Sequence, residues 1–91
     1  MVRKVIEKNF KEKILGSHLP VPVCFYLPWC DPYNKVYPIV KKLAEKFTGK
    51  FKFYMLDIVK AQKIARKYEI IRTPTLIFFR RRKVLLKLSL L

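Results

Sequence analysis

Glycine is nearly absent from this chain, with two residues in 91. That scarcity leaves no glycine-rich loop to cradle a phosphate and no flexible linker between domains. Histidine occurs once and cysteine twice, so no metal-ligand spacing can be read, and neither a metal nor a cofactor is expected. The two cysteines, Cys24 and Cys30, stand six residues apart, unlike the disulfide framework of a small secreted protein. A reducing compartment follows, and a cytoplasmic protein is expected. Long apolar runs are missing too. The tail Val84 to Leu91 is broken by Lys87 and is far shorter than the roughly 20 residues of a bilayer span, and Met1 to Glu7 is too charged for the core of a signal peptide. No membrane partner is expected, and residues 1–91 read as a single domain.

Acidic residues are the other shortage: 6 Asp and Glu stand against 21 Lys and Arg, a net charge of +15. An excess of that size suits acidic partners. The lysines scatter along every helix and are not interleaved with aromatics, so a solvated basic surface is favoured over a nucleic-acid interface.

What is present is apolar and periodic. Residues 2–6 alternate weakly, as in a short edge strand, and Phe10, Ile14 and Leu15 mark one face of a first helix closed by Gly16 and Ser17. His18 falls in a stiff, proline-rich connector and reads as a loop residue. Val21 to Leu27 is a continuous apolar run, the pattern of a central strand covered on both faces. A helix is expected from Asp31 to Phe47, with Val36, Val40, Leu43 and Phe47 inward and Lys35, Lys41, Lys42 and Lys46 outward. Phe51 to Leu56 reads as the next strand, completing a parallel βαβ unit closed by Asp57. Ala61, Ile64, Ala65 and Tyr68 then mark a short helix. Two last strands, Thr75 to Phe79 and Val84 to Leu88, are joined by Arg80-Arg81-Arg82-Lys83, a hairpin tip without the usual glycine or asparagine, which reads as a basic tip blunting two apolar edges in preference to a nucleic-acid patch or localisation signal.

The chemistry gathers at Leu27-Pro28-Trp29-Cys30-Asp31-Pro32-Tyr33, where the apolar strand gives way to the helix. A thiol at a helix start is placed to become a thiolate, because the unpaired N–H groups and the helix dipole favour negative charge. Cys30 is therefore the candidate nucleophile. Asp31 is read as serving early helix N–H groups rather than catalysis.

Trp29-Cys30, the helix proline Pro38, and Ile71-Arg72-Thr73-Pro74-Thr75 together resemble the thioredoxin family over roughly residues 7 to 88. The resemblance implies an α/β thioredoxin-like fold: a central mixed sheet built as βαβ, then a helix, then a β-hairpin, flanked by helices. It also implies a cis bond before Pro74, and Trp29, Thr73 and Pro74 as substrate-binding residues around Cys30; Tyr33 joins them as an aromatic suited to an interface by its rigid apolar body and polar tip. Three departures are specific. The family's second cysteine, three residues after the first, is replaced by Tyr33. The positions of its buried acid and neighbouring lysine look to be held by Cys24 and Met55. The last strand is followed only by Ser89-Leu90-Leu91, so the family's C-terminal helix over one sheet face is not expected here, and Phe78, Leu85 and Leu88 are expected to form an apolar patch open to a homodimer or a docking partner.

Two functions fit these residues. The first is monothiol thiol-disulfide exchange, in which Cys30 forms mixed disulfides with protein or small thiols and an external thiol completes the cycle. The alternative is a redox-inactive binding module whose groove takes extended peptide segments or acidic partners. Cys24 reads as a core residue, with a role as resolving thiol for Cys30 as the sharper alternative.

Overall fold

The computed structural model describes residues 2–29, 33–46 and 51–90. Five strands form one mixed sheet in the order β1-β3-β2-β4-β5, with β1 at Val2–Lys4, β2 at Val21–Tyr26, β3 at Phe53–Asp57, β4 at Thr75–Arg80 and β5 at Lys83–Ser89. β1 and β2 pair in parallel with β3, while β4 runs antiparallel to both β2 and β5. The expected α/β thioredoxin-like architecture is present.

β2 lies at the centre because all six of its residues are buried, as its unbroken apolar sequence requires. Alternation along the strand sends Val23 and Phe25 to one face and Cys24 and Tyr26 to the other. On the first face they meet α1 (Glu7–Phe10), which continues as a π-helical turn over Lys11–Leu15, and α3 (Gln62–Lys67). Phe10, Tyr68 and Phe79 close against one another there, with ring centroids 5.0–5.9 Å apart. α2 (Tyr33–Lys46) covers the other face with Val36, Val40 and Ala44. Lys35, Lys41, Lys42 and Lys46 are exposed, as the helical spacing requires. Phe47 lies outside the described residues.

α3 is held at both ends by groups distant in sequence. Its first turn has no capping side chain of its own, and the Glu7 carboxylate accepts the Lys63 N–H at 3.2 Å instead. At its last turn Ile70 N–H donates to the Ala65 carbonyl and Glu69 N–H to that of Arg66, with Glu69 at φ 50°. This is the Schellman arrangement, made here without the glycine that usually takes the left-handed position. The Lys87 ammonium donates to the Tyr68 and Glu69 carbonyls at 3.0 and 2.8 Å, so β5 is fastened to the end of α3.

Several expected boundaries move. β1 is three residues long: Val5, buried against the first face, still donates its N–H to the Met55 carbonyl at 3.0 Å, and the chain enters α1 at Glu7. β3 begins at Phe53, two residues later than expected. The hairpin tip is two residues long: Arg80 pairs with Lys83, and Arg81 and Arg82 turn the chain with φ of 49° and 70°. Positive φ at both positions is the mark of the type I′ turn, which matches the strand twist and normally selects Asn-Gly. Each arginine side chain held there costs roughly 1–2 kcal/mol. A bulge opposite Phe78 and Phe79 leaves Leu85 unpaired.

β5 is exposed along its whole length, with Leu85, Leu86 and Leu88 between 43% and 56% accessible. The expected bare apolar strip is therefore there in Leu85 and Leu88. Phe78 departs from the expectation: it is half-buried, edge-on to Phe51 at 5.9 Å.

Candidate active site

The register of the sheet brings two loops to one end. β2 ends at Tyr26 and leads into Leu27-Pro28-Trp29, while antiparallel β4 begins at Thr75, paired with Phe25, directly after the Thr73–Pro74 loop. Strand pairing alone therefore places the Trp29 loop and the Pro74 loop at the same edge. The Thr73–Pro74 peptide bond is cis, and Pro74 is buried with its carbonyl accepting the Leu90 N–H at 3.0 Å. The Thr75 hydroxyl donates to the Arg72 carbonyl and closes the loop beneath it.

Two apolar side chains stand in solvent at this end, Trp29 at 71% and Ile71 at 88% exposure. Solitary exposed apolar residues are ordinary; two large ones at the edge that carries a buried proline loop are suited to contact. Ile71 was not among the expected binding residues. The signal for it is the pair Ile70-Ile71: Ile70 packs on the core, so its neighbour points away from it.

Cys30, Asp31 and Pro32 lie outside the described residues, between Trp29 and the first residue of α2, and so does the side chain of Tyr33. Thr73 is half-buried. Cys24 sits beneath the loop end in β2, fully buried on the α2 face, with Met55 in register beside it on β3. They share a buried cluster with Tyr26, Val36, Val40, Phe53 and Leu76. Among the described residues the only buried polar or charged one is Thr75, and no group of three His, Cys, Asp or Glu could hold a metal. Asp57 ends β3 as expected, its carboxylate accepting the Val59 N–H at 2.9 Å. His18 is an exposed loop residue.

A model of the family described as Thioredoxin matches residues 1–89. The chain belongs to the thioredoxin family. It is 39% identical to Thioredoxin M4, chloroplastic, of Arabidopsis thaliana over 79 residues, 87% of this chain and 41% of that protein. Thioredoxin M-type, chloroplastic, of Spinacia oleracea is 38% identical over 87% of this chain and 44% of its own. Thioredoxin 1 of Nostoc sp. is 35% identical, with 85% of this chain covering 72% of it. The chain thus spans less than half the length of the chloroplastic relatives and about three quarters of the cyanobacterial thioredoxin.

This thioredoxin-family chain has a buried pair, Cys24 and Met55, on the α2 face of its two central parallel strands. No described carboxylate is buried where it could take a proton from a second thiol. Among the described residues no helix is long and apolar enough to cross a membrane.

Proposed function

We propose that this chain carries out monothiol thiol-disulfide exchange through Cys30. The observation that carries the reading is the juxtaposition of the Trp29 loop with the Thr73–Pro74 loop at one sheet edge, next in sequence to a cysteine whose partner position is Tyr33. Membership of a family whose curated relatives are named thioredoxins supports it.

The Cys30 thiolate attacks one sulfur of a partner disulfide, a new S–S bond forms, and the other sulfur leaves as a thiolate and takes a proton from solvent. Tyr33 offers no sulfur to resolve the adduct. An external thiol completes the cycle by attacking the partner's sulfur in the mixed disulfide, which returns Cys30 as thiolate and gives a new partner disulfide. Trp29, Tyr33, Thr73 and Pro74, joined by Ile71, would bind the extended segment that carries the disulfide, its backbone pairing with that of Thr73. Protein disulfides and small thiols are the partners this chemistry takes.

A second reading is favoured by the exposure of Trp29 and Ile71 alone: a groove for extended peptides that works without the thiol. Alkylation of Cys30 against pH, with Cys24 scored separately by mass spectrometry, separates the two. Exchange chemistry predicts a midpoint near or below ~7, against ~8.5 for an ordinary thiol. A midpoint at the ordinary value leaves only the groove. Cys24 should hardly react at any pH at which the fold persists, because it is fully buried.

A further inference from the structure

The end of the sheet opposite the Trp29 loop holds two clefts that share a wall. One, of about 570 Å³, is flanked by Arg3, Lys13 and Lys52; the other, of about 470 Å³, by His18, Arg81 and Arg82. Gly16 and Ser17, in the connector that precedes β2, border both. The six residues of β2 put roughly 20 Å between this end and the Trp29 loop. Cations that look scattered in the sequence are thus gathered by the fold onto one pole, and among the described residues Glu12 is the single carboxylate lining either cleft.

The turn that delivers Arg81 and Arg82 adds an independent observation. Both residues hold positive φ, where Asn-Gly would sit without strain, so local stability does not account for arginine at these positions. Their guanidinium groups are suited to phosphate, which they can bind through two parallel hydrogen bonds.

We propose that this pole binds single-stranded nucleic acid, its phosphates running from the Arg3, Lys13 and Lys52 cleft across the Gly16-Ser17 wall to Arg81 and Arg82. A flexible strand can follow a path that bends over a wall between two recesses. A duplex, stiff over about 150 base pairs, touches only the rims. Leu19, 65% exposed, and half-buried Phe51 give the first cleft apolar surface for bases. The site is separate from the thiol site and stands whether or not Cys30 is reactive.

Fluorescence anisotropy of a short labelled oligothymidylate, titrated at low and physiological salt, tests this. The double variant Arg81→Asn with Arg82→Gly installs the preferred turn pair, so it should fold at least as well as the parent. It should bind roughly tenfold more weakly, and its log–log salt slope should fall by about 1.4, or about 0.7 for each lost phosphate contact. Lys41→Gln with Lys42→Gln removes the same charge from exposed positions on α2 that line neither cleft, and should change affinity less than about threefold. Equal losses from the two variants would overturn the proposal in favour of diffuse charge attraction. So would absence of binding at low salt, or equally tight binding of a duplex or of polyglutamate of matching length.

Discussion

Tyr33→Cys should convert a protein that accumulates a mixed disulfide into one that releases its captured partner by closing an internal disulfide to Cys30. In the parent, the adduct on Cys30 waits for an external thiol, because the position three residues on carries a phenol. A thiol at the first residue of α2 would attack the adduct within the same molecule. Holding two reacting groups in one structure gains many orders of magnitude over a dilute reagent in favourable cases. Release of the captured partner should therefore be faster by on the order of 10²-fold or more than with millimolar external thiol. The introduced thiol would still lack a buried base, since no described carboxylate is buried and the face beneath the loop is apolar around Cys24 and Met55. Release should consequently accelerate as pH rises toward the ordinary thiol value of ~8.5. Quenched-flow release of a chromophoric thiol partner measures both effects. An unchanged lifetime in the variant would mean that Tyr33 is not what holds up the parent.

Phe79→Ala should cost about 3–5 kcal/mol, the usual range for deleting a buried phenyl ring. Phe79 is fully buried on the α1 and α3 face, edge-on to Phe10 at 5.6 Å and to Tyr68 at 5.0 Å, with Phe25 at 6.4 Å. It is the one ring that all three others touch. At roughly 0.05–0.15 kcal/mol per residue, a chain this size has little stability beyond such a loss. Urea unfolding should show a midpoint lowered by a third or more, while Phe79→Leu, which keeps most of the volume, should cost less than half as much. The same cluster touches pH. Burial raises the Tyr68 phenol above its ordinary value of 10.0. The unfolded chain therefore releases that proton first, and stability falls as pH climbs past the ordinary tyrosine range. Phe79→Ala opens the packing around Tyr68 and should bring its titration back toward the ordinary value.

Much of this fold is legible in the residues, for identifiable reasons. The apolar run from Val21 to Leu27 reads as a strand buried on both faces, which the structure ends one residue earlier at Tyr26, and the 3.6-residue spacing of Val36 and Val40 against exposed lysines reads as a covering helix. Strand, helix and strand in that order force a parallel unit. The turn at Arg81 and Arg82 was not legible, because positive φ is normally announced by glycine or asparagine and neither is there. A four-residue tip is the natural reading; the pairing of Arg80 with Lys83 shortens it to two. β1 shortens for a different reason: the chain turns into α1 at Glu7, directly after Val5 makes its last bond to β3. Ile71 escaped because nothing in a sequence says which of two adjacent isoleucines the core will take. The basic pole escaped because it is assembled from residues 3, 13, 52, 81 and 82, which only the folded chain brings to one end.

At the candidate site, the Trp29-Cys30 pair and the Thr73-Pro74 pair are both visible in sequence, but the meeting of the Trp29 loop and the Thr73–Pro74 loop at one end of the sheet is a product of strand order. The antiparallel pairing of Phe25 with Thr75 is what makes one edge of them.

The central claim is that Cys30 works as a single thiol. Its most direct test is intact-mass spectrometry of the reduced protein mixed with a slight excess of a small aromatic disulfide, followed by peptide mapping. The claim predicts one adduct per chain, located on Cys30, stable until an external thiol is added, with Cys24 unmodified. A loss of two hydrogens mapping to a Cys24–Cys30 bond would contradict it and make Cys24 the resolving thiol, and an unmodified Cys30 would remove thiol chemistry from this chain altogether.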